Sequence, residues 1–236
     1  MTPRSKLVSR SLRKAAMSSS DKFVPGTEDV GLSAAMISDS LDAVGVRGYV
    51  LATTVIPLFE GSRAFGRAST VQFEPSIEDS EHPYDDAIDY IDTLRPGDVA
   101  VIATGENLST AYWGELFSAA AIGRGAVGVV TDGNVRDAQK VIDLKFPVWS
   151  QGRRPIDFRA RMKIVSMAQR VRVGGVDIEH GDLVIADDDG VVVIPQALET
   201  EVLMHARQRA SGEGIVLDRL LKGATLREVW DEYRIL

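Results

Sequence analysis

The middle of the chain alternates segments typical of strands with segments typical of helices, and this order limits the folds it can adopt. Strands are predicted at 99–103 and 127–131, and helices at about 114–123 and from Asp137 onward. A βαβα order lays parallel strands side by side in one sheet. In such a sheet, ligands bind beyond the carboxyl ends of the strands.

The segment before this unit is predicted to form a helix, two strands and a second helix. The first helix lies within 32–45, where Ser33 can act as N-cap and Gly45 can end the helix. The next elements, in chain order, are strands at about 49–56 and 63–73, an acidic loop at 74–81 and a helix at 84–91.

The last third of the chain is rich in short strands and ends in helices. Strands at 171–176, 182–186 and 190–195 are separated by glycine-rich and aspartate-rich turns. Two helices are predicted at about 197–210 and 213–233. The predicted fold class is α/β, with a β-rich layer and C-terminal helices.

The composition excludes several kinds of site and partner. The chain has 236 residues and no cysteine, which removes disulfides, thiolate zinc sites and cysteine nucleophiles. Its net charge of −7 does not favour a nucleic-acid partner, so a small-molecule ligand is expected. No apolar run approaches the roughly 18 residues of a membrane span. We expect a cytoplasmic protein with neither a nucleic acid nor a membrane as its partner.

The first twenty residues differ from the rest of the chain, because they are basic and serine-rich and contain no acidic residue. This composition predicts a disordered basic extension at 1–22, with a transit peptide as the alternative. Residues 23–236 are predicted to form a single domain that includes the C-terminal helices.

Two motifs resemble known ligand loops but do not fit their context. The glycines at 123–128 match G-x-G-x-x-G, yet they end a predicted helix and begin a strand, which is the reverse of a dinucleotide-binding loop. The acidic run at 187–190 lacks the spacing of an EF-hand and is interpreted as a turn between strands.

Histidine and lysine offer little support for other catalytic sites. The histidines, His82, His180 and His205, are scattered and show no zinc-binding pair. Lys140 or Lys145 could serve a Schiff-base aldolase, which requires a buried lysine. The sequence does not show whether either lysine is buried.

Glu115 and the pair Arg136-Asp137 form the most informative group of polar residues. Twenty residues, 116–135, separate them. A helix of about nine residues travels roughly 14 Å in one direction, and a strand of about five residues returns roughly 16 Å. The acid and the Arg-Asp pair are therefore expected at the same level of the fold.

The residue types at this level suit an anion and a divalent metal ion. Gly114 lets the backbone approach a ligand closely, and the free N–H groups of Leu116 and Phe117 at a helix start can bind a carboxylate. Arg136 offers a planar fork for the same anion, and Asp137 offers a hard oxygen ligand for Mg²⁺ or Mn²⁺.

A purely structural interpretation of these residues is also open. Asp132-Gly133 is by itself an ordinary turn. Glu115 and Asp137 could be favourable charges at helix N-termini, and Arg136 could simply pair with one of them. Residue types and spacing do not decide between the two interpretations.

Several motifs, in the right order, resemble the signature of the RraA-like family. The resemblance extends over nearly the whole chain from about Leu32, and its motifs lie at 38–42, 96–99, 113–116, 124–137, 174–176, 181–182 and 187–195. This family includes the class II, metal-dependent 4-hydroxy-4-methyl-2-oxoglutarate / 4-carboxy-4-hydroxy-2-oxoadipate aldolases. Some members are labelled regulators of ribonuclease E activity or demethylmenaquinone methyltransferases.

The resemblance implies a swivelling β/β/α domain that assembles as a homotrimer or hexamer, with active sites between subunits. It implies that Asp137 binds Mg²⁺ or Mn²⁺, that Arg136 binds the carboxylate of pyruvate, and that Glu115 acts through water on the metal ion. Glu115 stands where the family more often has aspartate. Glu213 is the residue expected to reach a neighbouring subunit's site. His180 stands where the family often has proline, which is interpreted as a structural change.

The function implied by the resemblance is retro-aldol cleavage of a 4-hydroxy-2-oxo diacid to pyruvate and a second 2-oxo acid. Decarboxylation of oxaloacetate passes through the same enolate, so one site can catalyse both reactions. The alternative is a protein-binding regulator of ribonuclease E-type enzymes without essential catalysis. The methyltransferase label is not favoured, because no glycine-rich loop lies between a strand and a helix.

Overall fold

The computed structural model of the protein describes residues 31–235. The predicted extension at 1–22 lies outside this range, as do residues 23–30 of the predicted domain. The division of the chain at residue 22 therefore stays a prediction.

A mixed sheet of eight strands forms the centre of the described chain. In spatial order its strands are β1 (Ile56–Pro57), β7 (Val148–Ser150), β5 (Gly128–Thr131), β3 (Asp98–Ala103), β2 (Ala64–Pro75), β12 (Leu183–Asp187) and β13 (Gly190–Ile194), with β9 (Met162–Met167) also paired to β2. Strands β2, β3, β5 and β7 are mutually parallel. The parallel sheet predicted from the βαβα order is confirmed.

Within residues 31–235, two smaller sheets and six α-helices accompany the central sheet. One small sheet is parallel and contains β4 (Ala111–Trp113), β6 (Asn134–Val135) and β8 (Gly152–Arg153), and the other is the hairpin of β10 (Val171–Val173) and β11 (Val176–Ile178). The helices are α1 (Ala34–Ala43), α2 (Asp85–Thr93), α3 (Glu115–Arg124), α4 (Ala138–Asp143), α5 (Glu199–Leu221) and α6 (Leu226–Tyr233).

Strand β3 shows how the layers are arranged. Its residues alternate between two buried clusters, as successive side chains of a strand must. Ala100 and Ile102 pack with residues of α2 and α3, whereas Val99 and Val101 pack with the β10–β11 hairpin. The central sheet thus lies between a helical layer and a β layer, which confirms the predicted β/β/α arrangement.

Helix α5, the first of the two C-terminal helices, packs with α1 on the antiparallel part of the sheet. Ile37 and Leu41 of α1, together with Val202 and Ala206 of α5, are buried against β12 and β13. At the start of α1, Ser33 accepts a hydrogen bond from the Met36 N–H at 3.2 Å, as its predicted capping role requires.

The predicted helix boundary near residues 211–212 is wrong. Helix α5 continues through Gly212 and Gly214, and the chain turns only at Gly223, where φ is +95°. Glycine weakens a helix by about 1 kcal/mol, but burial of apolar residues on both sides of these glycines outweighs that cost. Thr225 then begins α6 with a reciprocal capping box to Glu228.

The strand predicted at 49–56 is also mostly wrong. Val50 forms only an isolated bridge with Val192, and a turn closed by the Val55 N–H to the Ala52 carbonyl interrupts the segment before Ile56–Pro57. The apolar residues of this segment predict a strand. Its backbone hydrogen bonds, however, go to Val191, to Gly174 and to a local turn, so no continuous strand forms.

Gly66 of β2 lies directly against the backbone of Gly97, and its replacement tests the packing there. A Cβ atom at Gly66 would lie 2.2 Å from the Gly97 carbonyl oxygen. Gly66→Ala is therefore expected to lower the free energy of unfolding by about 1–3 kcal/mol or more in denaturant titrations. Gly123→Ala is the matched control, because its Cβ meets nothing within 4 Å and α3 should gain about 0.5–1 kcal/mol. Equal stability of the two variants would contradict this packing.

Candidate active site

Three parallel strands of the central sheet are each followed by a strand of the small parallel sheet. Strand β3 is followed by β4, β5 by β6 and β7 by β8, and the small sheet keeps the same spatial order. The carboxyl ends of these strands therefore meet at one edge of the molecule. The loops that follow β4 and β6 contain the predicted site residues.

The buried carboxylate of Asp132 holds this edge together. Its Oδ1 accepts hydrogen bonds from the Thr104 N–H at 2.7 Å and the Thr104 hydroxyl at 2.9 Å, and its Oδ2 accepts one from the Glu106 N–H at 3.0 Å. Burial raises the pKa of the Asp132 carboxyl, while these donors act to lower it. Asp132 thus joins the loop after β3 to the loop after β5.

This junction brings Glu115, Arg136 and Asp137 to one cavity. Glu115 is the first residue of α3, directly after β4, and Arg136 and Asp137 follow β6. The Arg136 N–H donates to the Trp113 carbonyl at 2.9 Å, which fixes the second loop against the first. The sequence spacing correctly predicted that these residues meet.

Gly114 is needed where the two loops touch. A Cβ atom at this position would lie 2.9 Å from Asp137 Oδ2 and 3.1 Å from Arg136 Cγ. Its φ of −170° is ordinary extended backbone, so glycine is required here for space rather than for conformation. Asp137 itself adopts a left-handed conformation, with φ 54° and ψ 31°, at the start of α4.

The charged side chains of the site form two linked sets. Lys140 Nζ lies 2.8 Å from Glu115 Oε2. Arg136 Nε lies 3.5 Å from Asp137 Oδ2, and Arg136 Nη1 donates to Asp157 Oδ2. Arg136 does pair with acids, as the structural interpretation predicted. These paired residues also line a cavity, so the pairing does not exclude a ligand site.

The cavity has a volume of about 570 Å³, within the usual range of small-molecule sites. Besides the charged groups, aromatic and aliphatic side chains contribute much of its lining: Tyr84, Ile88, Tyr112, Trp113, Leu116, Phe117 and Phe158. The rings are packed edge to face, with centroids 5.7 Å apart both for Tyr84 and Phe158 and for Trp113 and Phe117.

Asp157 and Tyr84 are site residues that the sequence did not reveal. The Tyr84 hydroxyl donates to Asp157 Oδ2 at 3.2 Å, and the Arg159 N–H donates to Asp157 Oδ1 at 2.8 Å. Burial and the neighbouring Asp157 carboxylate raise the pKa of Tyr84. Asp157 lies in an irregular segment after β8 and belongs to no recognisable motif, so only the folded chain brings it to Arg136.

The carboxylates of the cavity could supply only some of the ligands of a divalent metal ion. No group of three or more histidine, cysteine, aspartate or glutamate residues is placed to bind a metal among residues 31–235. Asp137 supplies a carboxylate, and Mg²⁺ commonly binds one or two carboxylates and takes its other ligands from water and substrate. The residues present fit such a loosely held ion and do not fit a structural zinc site.

The lysine hypothesis is not favoured by the structure. The side chain of Lys140 is 62% exposed, and its hydrogen bond to Glu115 raises its pKa. A Schiff-base lysine requires the opposite change, because the free amine is the nucleophile. Lys145 does not line the cavity.

Two other residues singled out in the sequence lie away from this cavity. Glu213 lies on α5 and pairs with Arg209 at 2.7 Å, so its role at a neighbouring subunit stays a prediction. His180 accepts a weak hydrogen bond from the Thr70 N–H at 3.4 Å, consistent with the structural role assigned to it. No helix within residues 31–235 is both long and apolar enough to cross a membrane.

Comparison with known proteins decides the family. The model of the RraA-like family, described as Aldolase/RraA, matches residues 34–193. The chain belongs to the RraA-like family. The family resemblance stated from the sequence motifs is confirmed.

Relatives of this RraA-like protein differ in length and in name. Protein DlpA of Legionella pneumophila is 29% identical over 204 residues, which cover 86% of this chain but 33% of DlpA, so the chain spans about a third of that relative. A Halalkalibacterium halodurans protein with the provisional name 4-hydroxy-4-methyl-2-oxoglutarate aldolase is 31% identical over 177 residues, which cover 75% of this chain and 79% of that protein.

A solved structure confirms the RraA-like fold. Streptomyces coelicolor RraAS2, described as an unusual member of the RNase ES inhibitor RraA protein family, is 27% identical with a TM-score of 0.72. The match covers 84% of this chain and 98% of that one. The α/β fold with C-terminal helices is therefore that of RraA-like proteins.

Asp157→Asn tests the contact between Asp157 and Tyr84 without an activity assay. The substitution removes the carboxylate that raises the pKa of Tyr84, so this phenol should ionise at lower pH in an ultraviolet titration. Tyr84→Phe identifies the phenol in the difference spectrum. Asp79→Asn is the control, because Asp79 pairs with Arg159 outside the cavity lining. An unchanged Tyr84 titration in Asp157→Asn would refute the contact.

Proposed function

We propose that this RraA-like protein is a divalent-metal-dependent aldolase, which cleaves a 4-hydroxy-2-oxo acid to pyruvate and a second carbonyl compound. The observation that supports this most directly is the meeting of Arg136, Asp137 and Glu115 at one cavity. These residues combine an anion-binding cation, a hard oxygen ligand and a second acid in the way such chemistry requires.

The substrate's C1 carboxylate is assigned to Arg136 and the start of α3. The N–H groups of Leu116 and Phe117 lie in the first turn of that helix, where N–H groups have no partner within the helix. A helix N-terminus favours a negative charge, and the planar guanidinium of Arg136 matches a carboxylate in two hydrogen bonds.

Asp137 is the residue assigned to the metal ion. When bound, a divalent ion polarises the keto oxygen of the substrate as a Lewis acid. The lining of the cavity carries three acids and two cations, so it has an excess of negative charge that a divalent cation would offset.

Cleavage requires loss of the proton from the C4 hydroxyl. Glu115 is the candidate base, acting directly or through water, and Lys140 holds its carboxylate in a charge-assisted hydrogen bond. The C3–C4 bond then breaks, C4 becomes a carbonyl carbon, and the electron pair remains on pyruvate as its enolate. Arg136 helps to offset the enolate charge until C3 takes up a proton.

Decarboxylation of oxaloacetate would use the same groups. Loss of CO₂ from its C4 carboxylate leaves the same pyruvate enolate, so Arg136 and Asp137 would have the same roles. We propose this as a second activity of the site. No hydroxyl proton has to be removed from oxaloacetate, so this reaction should depend less on Glu115.

A regulatory function is the second candidate, because RraAS2 is described as a member of an RNase ES inhibitor family. The two functions differ in what the cavity must do. A regulator binds its target by surface contacts and has no need of a substrate that releases pyruvate. Binding to a ribonuclease that persists in variants without Arg136 and Asp137 would favour regulation.

Substitution of Arg136 and Asp137 tests the proposed site. Pyruvate release from a panel of 4-hydroxy-2-oxo acids and from oxaloacetate should fall about 10²–10³-fold in Arg136→Ala, because removing one donor to a developing oxyanion has that effect. Asp137→Asn should show a comparable loss through weaker metal binding. Arg124→Ala, which breaks only an exposed pair with Asp92, should keep full activity. Activity that survives both site substitutions would refute the proposal.

Metal dependence is tested by chelation. Wild-type protein treated with EDTA and dialysed should lose pyruvate release, and Mg²⁺ or Mn²⁺ should restore it. Circular dichroism should stay unchanged during the treatment, since the ion is assigned to catalysis and not to folding. Full turnover in the chelated protein would show that the site works without a metal ion.

A further inference from the structure

Arg136 and Asp137 are adjacent residues of opposite charge that are assigned to different ligands. Their side chains converge at Gly114, where a Cβ atom would lie 3.1 Å from Arg136 Cγ and 2.9 Å from Asp137 Oδ2. Arg136 Nε lies 3.5 Å from Asp137 Oδ2. A closer ion pair would occupy both the guanidinium edge that a carboxylate needs and the oxygens that a metal ion needs. The site can therefore work only if the guanidinium is held away from Asp137.

Asp157 is the acid that holds the far end of this guanidinium. Arg136 Nη1 donates a direct hydrogen bond to Asp157 Oδ2, whereas the 3.5 Å contact with Asp137 is only an ion pair. The side chain of Asp157 is 24% exposed, and that of Asp137 is 38% exposed. Because water screens the Asp157 charge less, Asp157 attracts the guanidinium more strongly than Asp137 does.

Three further contacts fix the position of Asp157 itself. The Tyr84 hydroxyl donates to Asp157 Oδ2 at 3.2 Å, and the Arg159 N–H donates to Asp157 Oδ1 at 2.8 Å. The backbone of Asp157 also forms an isolated parallel bridge with Ala111, the first residue of β4. Asp157 is thus attached to the small sheet that leads into the site. All these contacts lie within one chain, so they do not depend on what a neighbouring subunit adds.

The contact with Asp157 leaves one edge of the guanidinium for a ligand. Asp157 uses Nη1, and the edge formed by Nε and Nη2 donates no hydrogen bond to a residue within 31–235. Two parallel N–H groups on one edge of a guanidinium match the two oxygens of a carboxylate. Asp157 therefore fixes Arg136 in an orientation that keeps a carboxylate-binding edge open.

We propose that Asp157 is a positioning residue, which holds Arg136 away from Asp137 so that Arg136 can bind the substrate carboxylate and Asp137 can bind the metal ion. This inference rests on the proposed aldolase function and adds a residue to its site. In this assignment Asp157 contacts neither the substrate nor the metal ion and acts through Arg136. Without Asp157, the guanidinium turns toward Asp137, and both groups are lost to their ligands.

Asp157→Asn tests the inference, because positioning and simple electrostatics predict opposite changes in anion binding. Removal of a negative charge beside Arg136 would by itself strengthen the binding of an anion. Loss of positioning should instead raise the calorimetric Kd of pyruvate, measured at saturating Mg²⁺, by about tenfold or more, the factor expected for a hydrogen bond to a charged group. Unchanged or tighter binding of pyruvate would overturn the inference.

Two variants separate positioning from a general effect of charge. Asp157→Glu keeps the carboxylate and should keep most of the pyruvate affinity. Asp79→Asn also removes one negative charge, but from an exposed pair with Arg159 outside the cavity lining, and should bind pyruvate as the wild type does. An equal loss of affinity in Asp79→Asn would show an effect of net charge and count against positioning.

A double-mutant cycle shows whether Asp157 acts through Arg136. The readout is the Kd of Mn²⁺, measured by electron paramagnetic resonance without any substrate. Asp157→Asn should weaken Mn²⁺ binding several-fold in the wild-type background, because Arg136 then pairs with Asp137. In the Arg136→Gln background the same substitution should change the Kd little, since the group that Asp157 positions is already absent. Equal losses in the two backgrounds would mean that Asp157 acts independently of Arg136, contrary to the inference.

These measurements distinguish failure of the inference from failure of the proposed function. If pyruvate and Mn²⁺ bind as expected in all variants but no substrate releases pyruvate, the aldolase proposal fails and the role of Asp157 stands. If the wild type binds neither probe, the ligand-free crystal structure of Asp157→Asn decides. Arg136 hydrogen-bonded to Asp137 in that structure would support the inference, and an unmoved guanidinium would refute it.

Discussion

The buried carboxylate of Asp132 is the interaction on which the arrangement of the site depends. It accepts three hydrogen bonds from Thr104 and Glu106, and a hydrogen bond to a charged group contributes about 1.5–3 kcal/mol. These hydrogen bonds connect the loop that follows β3 to the loop that follows β5. Strands β4 and β6 follow these two loops and pair in parallel, with Trp113 opposite Val135, which brings Glu115 and Arg136 to the same cavity.

Close packing around the junction leaves little freedom for the loops. A side chain at Gly133 would collide with the Tyr112 ring, since a Cβ there would lie 2.6 Å from Tyr112 Cδ2. Gly114 is restricted in the same way by Asp137 and Arg136. The backbone at these two glycines thus lies directly against side chains of the facing segments, which limits the positions that Tyr112, Arg136 and Asp137 can take.

The charged and the apolar residues of the cavity lining come in part from different segments of the chain. Arg136 and Asp137, to which we assign the substrate carboxylate and the metal ion, lie in the segment 124–137 that resembles the RraA-like family. The apolar residues of the lining come from α3 and also from segments outside that motif, as Tyr84 and Phe158 do.

Much of the fold could be predicted from local patterns, and the errors have a common cause. The parallel strands and the caps at Ser33 and Gly45 are confirmed, because an unbroken apolar run and the residue types of helix caps are visible in adjacent positions of the sequence. The two wrong predictions, the helix boundary within α5 and the strand at 49–56, concern segments whose conformation is set by residues distant in the sequence. The short strands β4, β6 and β8 were not predicted, since two or three residues carry no periodicity.

The sequence by itself determined the family, the α/β class and the approach of Glu115 to Arg136 and Asp137, because motif order and helix and strand lengths are local quantities. Only the tertiary structure decided which partners these residues have. Asp157 reaches Arg136, and Tyr84 and Phe158 reach the cavity, from segments whose sequence carries no matching signal. The physical reason is that contacts between distant segments are set by how the layers pack and not by any residue's own neighbours.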